Sequence, residues 1–454
     1  MSQVGARMIQ FDKHGTWCNV ADRKKTVSGT LAYSPSTGLR LTTASVPALA
    51  DRLGGDDPIV LNGLVDGQYW TLADAFCTSR SNSAQEFHIG YAFAGLGLDV
   101  NELTQLDELR LEFDGLWSTI RLQPRGPSQL DRPSVSVFAD IGGGWTIELA
   151  SDMVELDVSG EAAFGFRDRI QFVCRTSEPT DFPQLIRAVL TPLRDLLIIA
   201  HQCDIAVSSC SIGGPGTVVP YGSRTRREHP IAFWNHITRS DLDGAEARSS
   251  LALRIPTAAD EFEPFIRNWF DLHRLLETPI ALRVADLTTG MSFSEPRFLL
   301  AAQSLEALHR RLHPDATDDV AANARDAAIA AVADEHRRPL EIRLKHAHEP
   351  SFRTRIKQLV AEVQPQASAV VGSQLSKAIA RVVDLRNAVT HWDPSKETYD
   401  GVQFVAMRLL VDAIFDLVLL RRLGLDDDAL DATATAHSAK HVEYWVGRAL
   451  AAAK

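Results

Sequence analysis

At 454 residues, 45% apolar and 23% charged, the chain has the size of two or three soluble globular domains and the apolar content to build their cores. A formal net charge of −11 argues against a general nucleic-acid coat protein, whose phosphate contacts need a basic surface, but leaves room for a local basic pocket. Cys18, Cys77, Cys174, Cys203 and Cys210 are scattered, odd in number and without a C-x-x-C pair, which fits reduced cytosolic thiols better than a disulfide frame or a zinc site.

Met1 to Gln10 carries no apolar signal-peptide run, so no targeting signal is expected there. Residues 10 to about 180 read as β-rich. Gly29–Tyr33 and Gly38–Thr42 flank the turn-rich Ser34-Pro35-Ser36-Thr37, the pattern of a hairpin. Further strands are expected at Ile59–Leu64, Trp70–Leu72, Glu86–Phe93, Glu108–Phe113, Val135–Phe138, Trp145–Leu149 and Ile170–Cys174. Many short strands separated by turn signals imply a sandwich or barrel-like domain. Trp17, Trp70, Trp117 and Trp145 are open to two readings, a stacking platform or core aromatics, and strand aromatics favour the core. Gly142-Gly143-Gly144 is not followed by Lys-Ser/Thr, so a hairpin turn fits it better than a phosphate loop.

From Phe182 to Gln202 the period changes, and Leu185, Val189, Leu193, Leu196, Leu197 and Ala200 mark a helix. Ser211–Gly216 reads as a turn or loop. Arg224, Arg226, Arg227 and His229 form a short basic cluster, read as a solvated loop with RNA contact as the alternative. The charged, polar stretch Ser240–Ser250 places the junction between about 240 and 260. The expected division is 1–250, β-rich, and 251–454, helical.

In the second part, Phe262, Phe265, Ile266, Trp269, Phe270 and Leu275 predict one amphipathic helix, Phe298–Leu312 another, and the alanine-rich residues 315–337 a third. The chain's most basic run follows, with Arg337, Arg338, Arg343, Lys345, Arg353, Arg355 and Lys357 as candidate contacts to an RNA backbone. The competing reading is a solvated helix face paired with Asp334, Glu335 and Glu341. His346-x-His348 does not make a metal site, because that spacing turns the two rings apart on a helix and a third ligand at a metal-site spacing is not evident. Val402–Leu420 is interrupted by Arg408, Asp412 and Asp416, which makes it a core helix and not a membrane span. A cytoplasmic protein without a membrane partner is expected.

Between them, Val371, Leu375, Ile379, Val382 and Val383 predict a long helix that ends in Asp384-Leu385-Arg386-Asn387-Ala388-Val389-Thr390-His391-Trp392-Asp393-Pro394. Arg386 offers a permanent cation with a planar set of donors suited to phosphate. Asn387 donates and accepts, and His391 can exchange a proton near neutral pH. Asn387 and His391 share a helix face, whereas Arg386 and His391 stand roughly 140° apart around an ideal helix. Arg386 and His391 therefore converge only if the last turn distorts, the arginine stem wraps round, or a second copy contributes. In isolation, Arg-x4-His reads better as a salt-bridging arginine and a helix-end histidine near the negative pole of the helix dipole.

Arg386-Asn387-x-x-x-His391 in a long helix of an all-helical region closely resembles the HEPN superfamily, and Glu295–Leu308 resembles the opening HEPN helix of ApeA-type anti-phage proteins. The start of the chain resembles the ApeA N-terminal domain independently. It carries Gly15-Thr16-Trp17, Gly29-Thr30-Leu31-Ala32-Tyr33, Gly38-Leu39-Arg40-Leu41 and the run from Leu109 to Trp117. These N-terminal matches are glycine and hydrophobic positions, so they report fold and not chemistry. The resemblance implies an α+β chain, a β-rich N-terminal sandwich or barrel-like domain with a regulatory or sensor role followed by an all-α HEPN bundle.

The resemblance further implies a metal-independent endoribonuclease without cofactor, acting in abortive infection, with RNA (tRNA among the candidates) as substrate and 2′,3′-cyclic phosphate ends as product. Arg386, Asn387 and His391 would be the catalytic residues. Because one motif supplies one histidine, and HEPN relatives pair their motif helices, a homodimer is implied, with higher oligomers open. Asp384 and Glu306 are candidates to orient His391 or Arg386. The trigger, of phage origin, is not legible. The rival reading is a non-catalytic HEPN scaffold for dimerisation or nucleotide binding. A ligand-binding β module with a helical oligomerisation tail is a third.

Overall fold

A computed structural model of the chain describes residues 10–34, 37–45, 49, 58–120, 136–156, 165–221, 224–234, 253–289, 294–391, 401–438 and 441–451. It divides into two compact units, residues 1–249 with 254–267, and 250–253 with 268–454.

Alternating apolar residues fold the first unit into sheet. The strands are β1 (Phe11–Asn19), β2 (Asp22–Ser34), β3 (Gly38–Ala44), β4 (Ile59–Val65), β5 (Gln68–Arg80) and β6 (Ala84–Ala94), then β7 (Leu106–Phe113), β8 (Ser136–Gly142), β9 (Trp145–Leu156) and β10 (Gly165–Thr180). After the helices described below come β11 (Val207–Gly213), β12 (Val218–Tyr221), β13 (Arg224–Arg227) and β14 (Ile231–Trp234). A 12-stranded sheet has the order β3-β2-β1-β4-β5-β6-β14-β11-β7-β10-β9-β8, and β3 pairs a second time with β6. That pairing, with Leu39 opposite Ile89 and Leu41 opposite Phe87, closes β1–β6 into an antiparallel barrel, which removes the free edges an open sheet would expose. β14, β11, β7, β10, β9 and β8 continue the sheet outward from β6, while β12 and β13 pair as a separate two-stranded sheet.

Inward-facing Trp17, Leu31, Leu41, Leu61, Trp70, Leu72 and Phe87 fill the barrel. Trp17 Nε1 donates to the Gly29 carbonyl at 3.2 Å, and a Cβ at Gly63 would collide with the Trp17 ring. Trp17 and Trp70 are therefore core and not a stacking platform; Trp145 is half-buried, and the Trp117 side chain lies outside the described residues. Between β8 and β9, Gly142, Gly143 and Gly144 hold φ of +79°, +62° and +78°, the left-handed region that glycine enters without strain.

Helices α1 (Val100–Leu103) and α2 (Leu116–Ile120) flank β7, while α3 (Phe182–Leu185), a π turn over Ile186–Leu190, and α4 (Thr191–His201) follow β10. The helix expected over 182–202 is thus present as three successive segments, α, π and α. Two expectations fail here. Ser211–Gly213 is the end of strand β11 rather than a turn. The basic cluster is no loop: Arg224–Arg227 is strand β13, where Arg226 and Arg227 stay exposed, Arg227 pairs with Asp107 at 3.1 Å, and His229 Nε2 beyond it lies 2.9 Å from Glu108. Glu108 also accepts from Arg110 at 2.7 Å and Arg175 at 2.9 Å. Burial alone would raise the Glu108 pKa, but His229, Arg110 and Arg175 hold it well below the usual carboxylate range.

Helix α5 (Ala259–Leu275) contains the division between the units. The second unit is built from α6 (Glu277–Thr288), α7 (Ser294–Leu312), α8 (Asp319–Ala330), α9 (Asp334–Arg343), α10 (Phe352–Glu362), α11 (Gln364–Val371), α12 (Leu375–His391), α13 (Gly401–Leu423), α14 (Asp427–Ser438) and α15 (Val442–Ala451). The helix expected over 315–337 is two helices, α8 and α9. α13 is the core element, packed against α7, α11, α14 and α15; Phe404 on α13 meets Phe298 on α7 at 5.7 Å between ring centroids. No helix of the described residues is long and apolar enough to cross a membrane.

The charges that interrupt α13 are paired inside the bundle. Arg283 lies 2.9 Å from Asp412, 2.8 Å from Asp416 and 3.4 Å from Asp286. Arg297 and Arg408 also reach Asp286, at 2.7 and 3.1 Å, and His437 Nε2 lies 3.2 Å from Asp416. Burial opposes the Asp416 charge, but Arg283 and His437 hold its pKa well below the ordinary range.

Candidate active site

α11 stops at Val371 because Gly372 takes φ +61°, and a 3-10 turn over Gly372–Gln374 starts the motif helix at Leu375. Val371, expected on that helix, belongs to the one before it. Leu375, Ala378, Ile379, Val382 and Leu385 make the buried stripe of α12. Arg386 follows Val382 by four residues and Ile379 by seven, so it leaves the helix beside that stripe. Its contacts lie on α7 and α10. Asp384 and Asn387 are exposed away from the stripe, and Thr390, one turn beyond Arg386 on its own face, is exposed as well.

Arg386 is held from several directions. Its Nη2 donates to Glu306 Oε2 of α7 at 3.2 Å, and its Cζ lies 5.6 Å from the centroid of the Phe352 ring at the start of α10, within cation–π range. Its Nη1 donates to Asn387 Oδ1 at 3.4 Å. The Thr390 hydroxyl donates back to the Arg386 carbonyl at 2.7 Å, the i−4 bond open to a threonine within a helix. The Arg386 side chain keeps 29% of its surface exposed, so an anion can still reach it.

Glu306 is shared. Arg310, one turn further along α7, donates to it at 3.3 Å and pairs with Glu349 at 2.7 Å. Arg355 of α10 pairs with the same Glu349 at 3.0 Å and donates to His309 Nδ1 at 3.2 Å. With Nδ1 accepting, His309 Nε2 donates to Gln358 Oε1 at 2.7 Å; burial lowers its pKa. An alternating ladder, Arg386–Glu306–Arg310–Glu349–Arg355–His309, therefore ties α12, α7 and α10 together.

α12 remains helical through His391, its last residue. The His391 side chain and residues 392–394, the stop signal read in the sequence, lie outside the described residues. Position 391 is one turn beyond Asn387 on the same face and two turns beyond Asp384.

The structure thus brings together Arg386, Asn387 and Glu306, with Phe352 and Arg310 as partners that the sequence reading missed. The spacing Glu306-x-x-x-Arg310 was the available signal for Arg310; nothing local marks Phe352. Asp384 forms no pair with Arg386 among the described residues. Of the basic run, Arg337 pairs with Asp334 at 2.8 Å, and Arg338, Arg343, Lys345, Arg353 and Lys357 are exposed. Arg355 does not join them: it is 4% exposed and committed to Glu349 and His309, because it shares the buried face of α10 with Phe352, Ile356 and Leu359. Among the described residues no group of three or more His, Cys, Asp or Glu is arranged to hold a metal ion.

A family profile described as ApeA N-terminal domain 1 matches residues 12–269, more than half of the chain. The chain belongs to the ApeA family. A second profile, Apea-like HEPN, matches residues 299–429, so the ApeA architecture of a β-rich unit followed by a HEPN bundle is present in order. Glu306, Arg310, Phe352, Arg386, Asn387 and His391 all fall within the HEPN match. HEPN domains are nuclease-associated, and the paired ApeA and HEPN matches support an anti-phage HEPN protein. No curated protein and no solved structure matches the chain.

Proposed function

We propose that the chain is a metal-independent endoribonuclease of a prokaryotic abortive-infection system, cutting RNA, with tRNA among the candidate targets. The 2′-hydroxyl attacks the adjacent phosphorus, the bond to the 5′-oxygen breaks, and a 2′,3′-cyclic phosphate remains. His391 handles the proton, work worth typically 10²–10⁴ in rate. Arg386 neutralises the phosphoryl oxygens as they gain charge, and Asn387 holds the ribose, the phosphate or the imidazole. A homodimer through the HEPN unit supplies the second imidazole, so that one acts as base and the other as acid. The β-rich unit regulates the bundle in response to a phage-derived trigger, and the setting is cytoplasmic.

The observation that carries this reading is the state of Arg386, partly exposed one turn before the end of α12, with Glu306 and Phe352 fixing its guanidinium. A catalytic cation needs such pre-organisation, because a loosely held arginine loses entropy in the transition state. The same contact favours a second reading. An arginine already paired with Glu306 can be a structural member of a scaffold whose HEPN unit only dimerises or binds nucleotides. Purified protein incubated with RNA in EDTA separates the two. Cleavage leaving cyclic phosphate, lost in Arg386→Ala and His391→Ala variants that remain folded and dimeric, supports the nuclease. Absence of wild-type cleavage, with both variants collapsing or falling to monomers, supports the scaffold.

A further inference from the structure

The chain leaves the bundle after α7 and returns at α10, and the detour between them is closed at its base. The Asp318 amide donates to the His348 carbonyl at 2.8 Å, clamping the two ends of the excursion together. Beyond that clamp, α8 and α9 bury no side chain. Helices of this length are marginal in water by themselves and ordinarily bury an apolar stripe. Here Val320 and Ile342 stand 81% and 68% exposed instead.

The cations of this region are unlike those of the ladder beside it. Arg310, Arg355 and Arg386 each pair with a carboxylate. Arg338, Arg343 and Lys345 on the excursion, and Arg353 and Lys357 one turn apart on the outer side of α10, are exposed and have no carboxylate partner among the described residues. In a chain with 58 Asp and Glu against 47 Lys and Arg, a concentration of unpaired cations points to an anion outside the protein. Their place in the fold says where that anion leads. Arg353 directly follows Phe352, whose ring packs on the Arg386 guanidinium.

We infer that α8 and α9 form an RNA arm, in which Arg338, Arg343 and Lys345 hold phosphates of a single-stranded segment and Arg353 and Lys357 continue the track to Arg386. This rests on the ribonuclease reading and identifies which cations of the basic run serve it: the exposed, unpaired ones, and not Arg355 or the Asp334-paired Arg337. Phosphate contacts position a strand without reading its sequence, so the arm contributes affinity that grows with RNA length and not base preference. A second protein is the poorer fit, because Val320 and Ile342 are the large apolar side chains exposed there, and a stable interface needs about 800 Å² per partner around an apolar centre.

The test uses the full chain carrying His391→Ala, so that RNA is bound without being cut, with and without Arg338→Gln/Arg343→Gln/Lys345→Gln. Binding of a fluorescent single-stranded RNA of about 20 nucleotides is measured across a salt series. Loss of three phosphate contacts should flatten the slope of log affinity against log salt by about 2 and weaken binding roughly tenfold or more at 0.1 M salt. In the catalytically intact background the triple variant should raise KM for the long RNA and leave cleavage of a substrate of a few nucleotides unchanged. An unchanged slope and KM, with RNA still cut, would overturn the arm and leave the nuclease standing. A triple variant that instead loses self-association at unchanged salt slope would assign the arm to a protein interface. Wild-type protein with neither RNA affinity nor cleavage would overturn both readings.

Discussion

Arg386 and Glu306 lie 80 positions apart in the chain and meet at 3.2 Å across α12 and α7. With the side chains 29% and 20% exposed, such a pair contributes at most about 1 kcal/mol to stability. Arg386→Ala should therefore leave the unfolding midpoint nearly unchanged while lowering cleavage on the order of 10²–10³-fold, the usual loss for a group that stabilises transition-state charge. Equal losses of stability and activity would make Arg386 structural.

Glu306 acts on the same guanidinium without touching substrate. Glu306→Ala frees the arginine to wander, and displacement of a positioned group by about 1 Å can cost around 10²-fold. We expect kcat to fall by about one to two decades with little change in KM; Glu306→Asp, shorter but charged, should recover part of it. A rise in kcat for Glu306→Ala would instead show that the carboxylate restrains the enzyme.

The interior of the bundle predicts a different outcome for Arg283. Removing it leaves Asp412 and Asp416 buried without their principal counter-charge, a loss of roughly 3–5 kcal/mol. Denaturant unfolding followed by far-UV circular dichroism should show Arg283→Ala shifting the helical transition by that amount. A shift below about 1 kcal/mol would mean that the pocket admits water.

Glu108 and Asp416 set the acid limit. Both pKa values are depressed in the folded chain, so the folded state binds fewer protons than the unfolded one in acid. The stabilisation is complete above the unfolded carboxylate pKa of about 4 and is lost as pH falls through and below it. Melting temperature should be flat on this account from pH 7 to about 5 and drop steeply from about 4 downward, with Glu108→Gln blunting the drop in the β-rich unit. A drop that begins near pH 6 would implicate histidines instead.

Local pattern revealed much of this architecture, because strand alternation and helix periodicity are written in neighbouring residues. Trp17, Trp70 and Leu31 announced the barrel interior, Gly142–Gly144 its outlying turn, and Phe298, Leu305 and Leu308 the helix that carries Glu306. Short elements escaped: β11 ends in Ser211-Ile212-Gly213, where glycine suggests a turn, yet pairing with β7 overrides that preference. Val371 looked continuous with Leu375 until Gly372 adopted a left-handed conformation. The site was legible as far as its own helix, with Glu306 named as a candidate to orient Arg386. That Phe352 would pack on that guanidinium, or that Arg355 would turn inward to Glu349 and His309, depends on packing between elements distant in sequence, which no spacing encodes.

The most direct measurement is the chemistry of the RNA ends. Wild-type protein and His391→Ala are each incubated with RNA in EDTA, and the products are sequenced after 2′,3′-cyclic phosphate capture. Cyclic ends from the wild type and none from a folded, dimeric His391→Ala are the predicted result. Intact RNA in both reactions, or 3′-hydroxyl ends that persist in the variant, would contradict it.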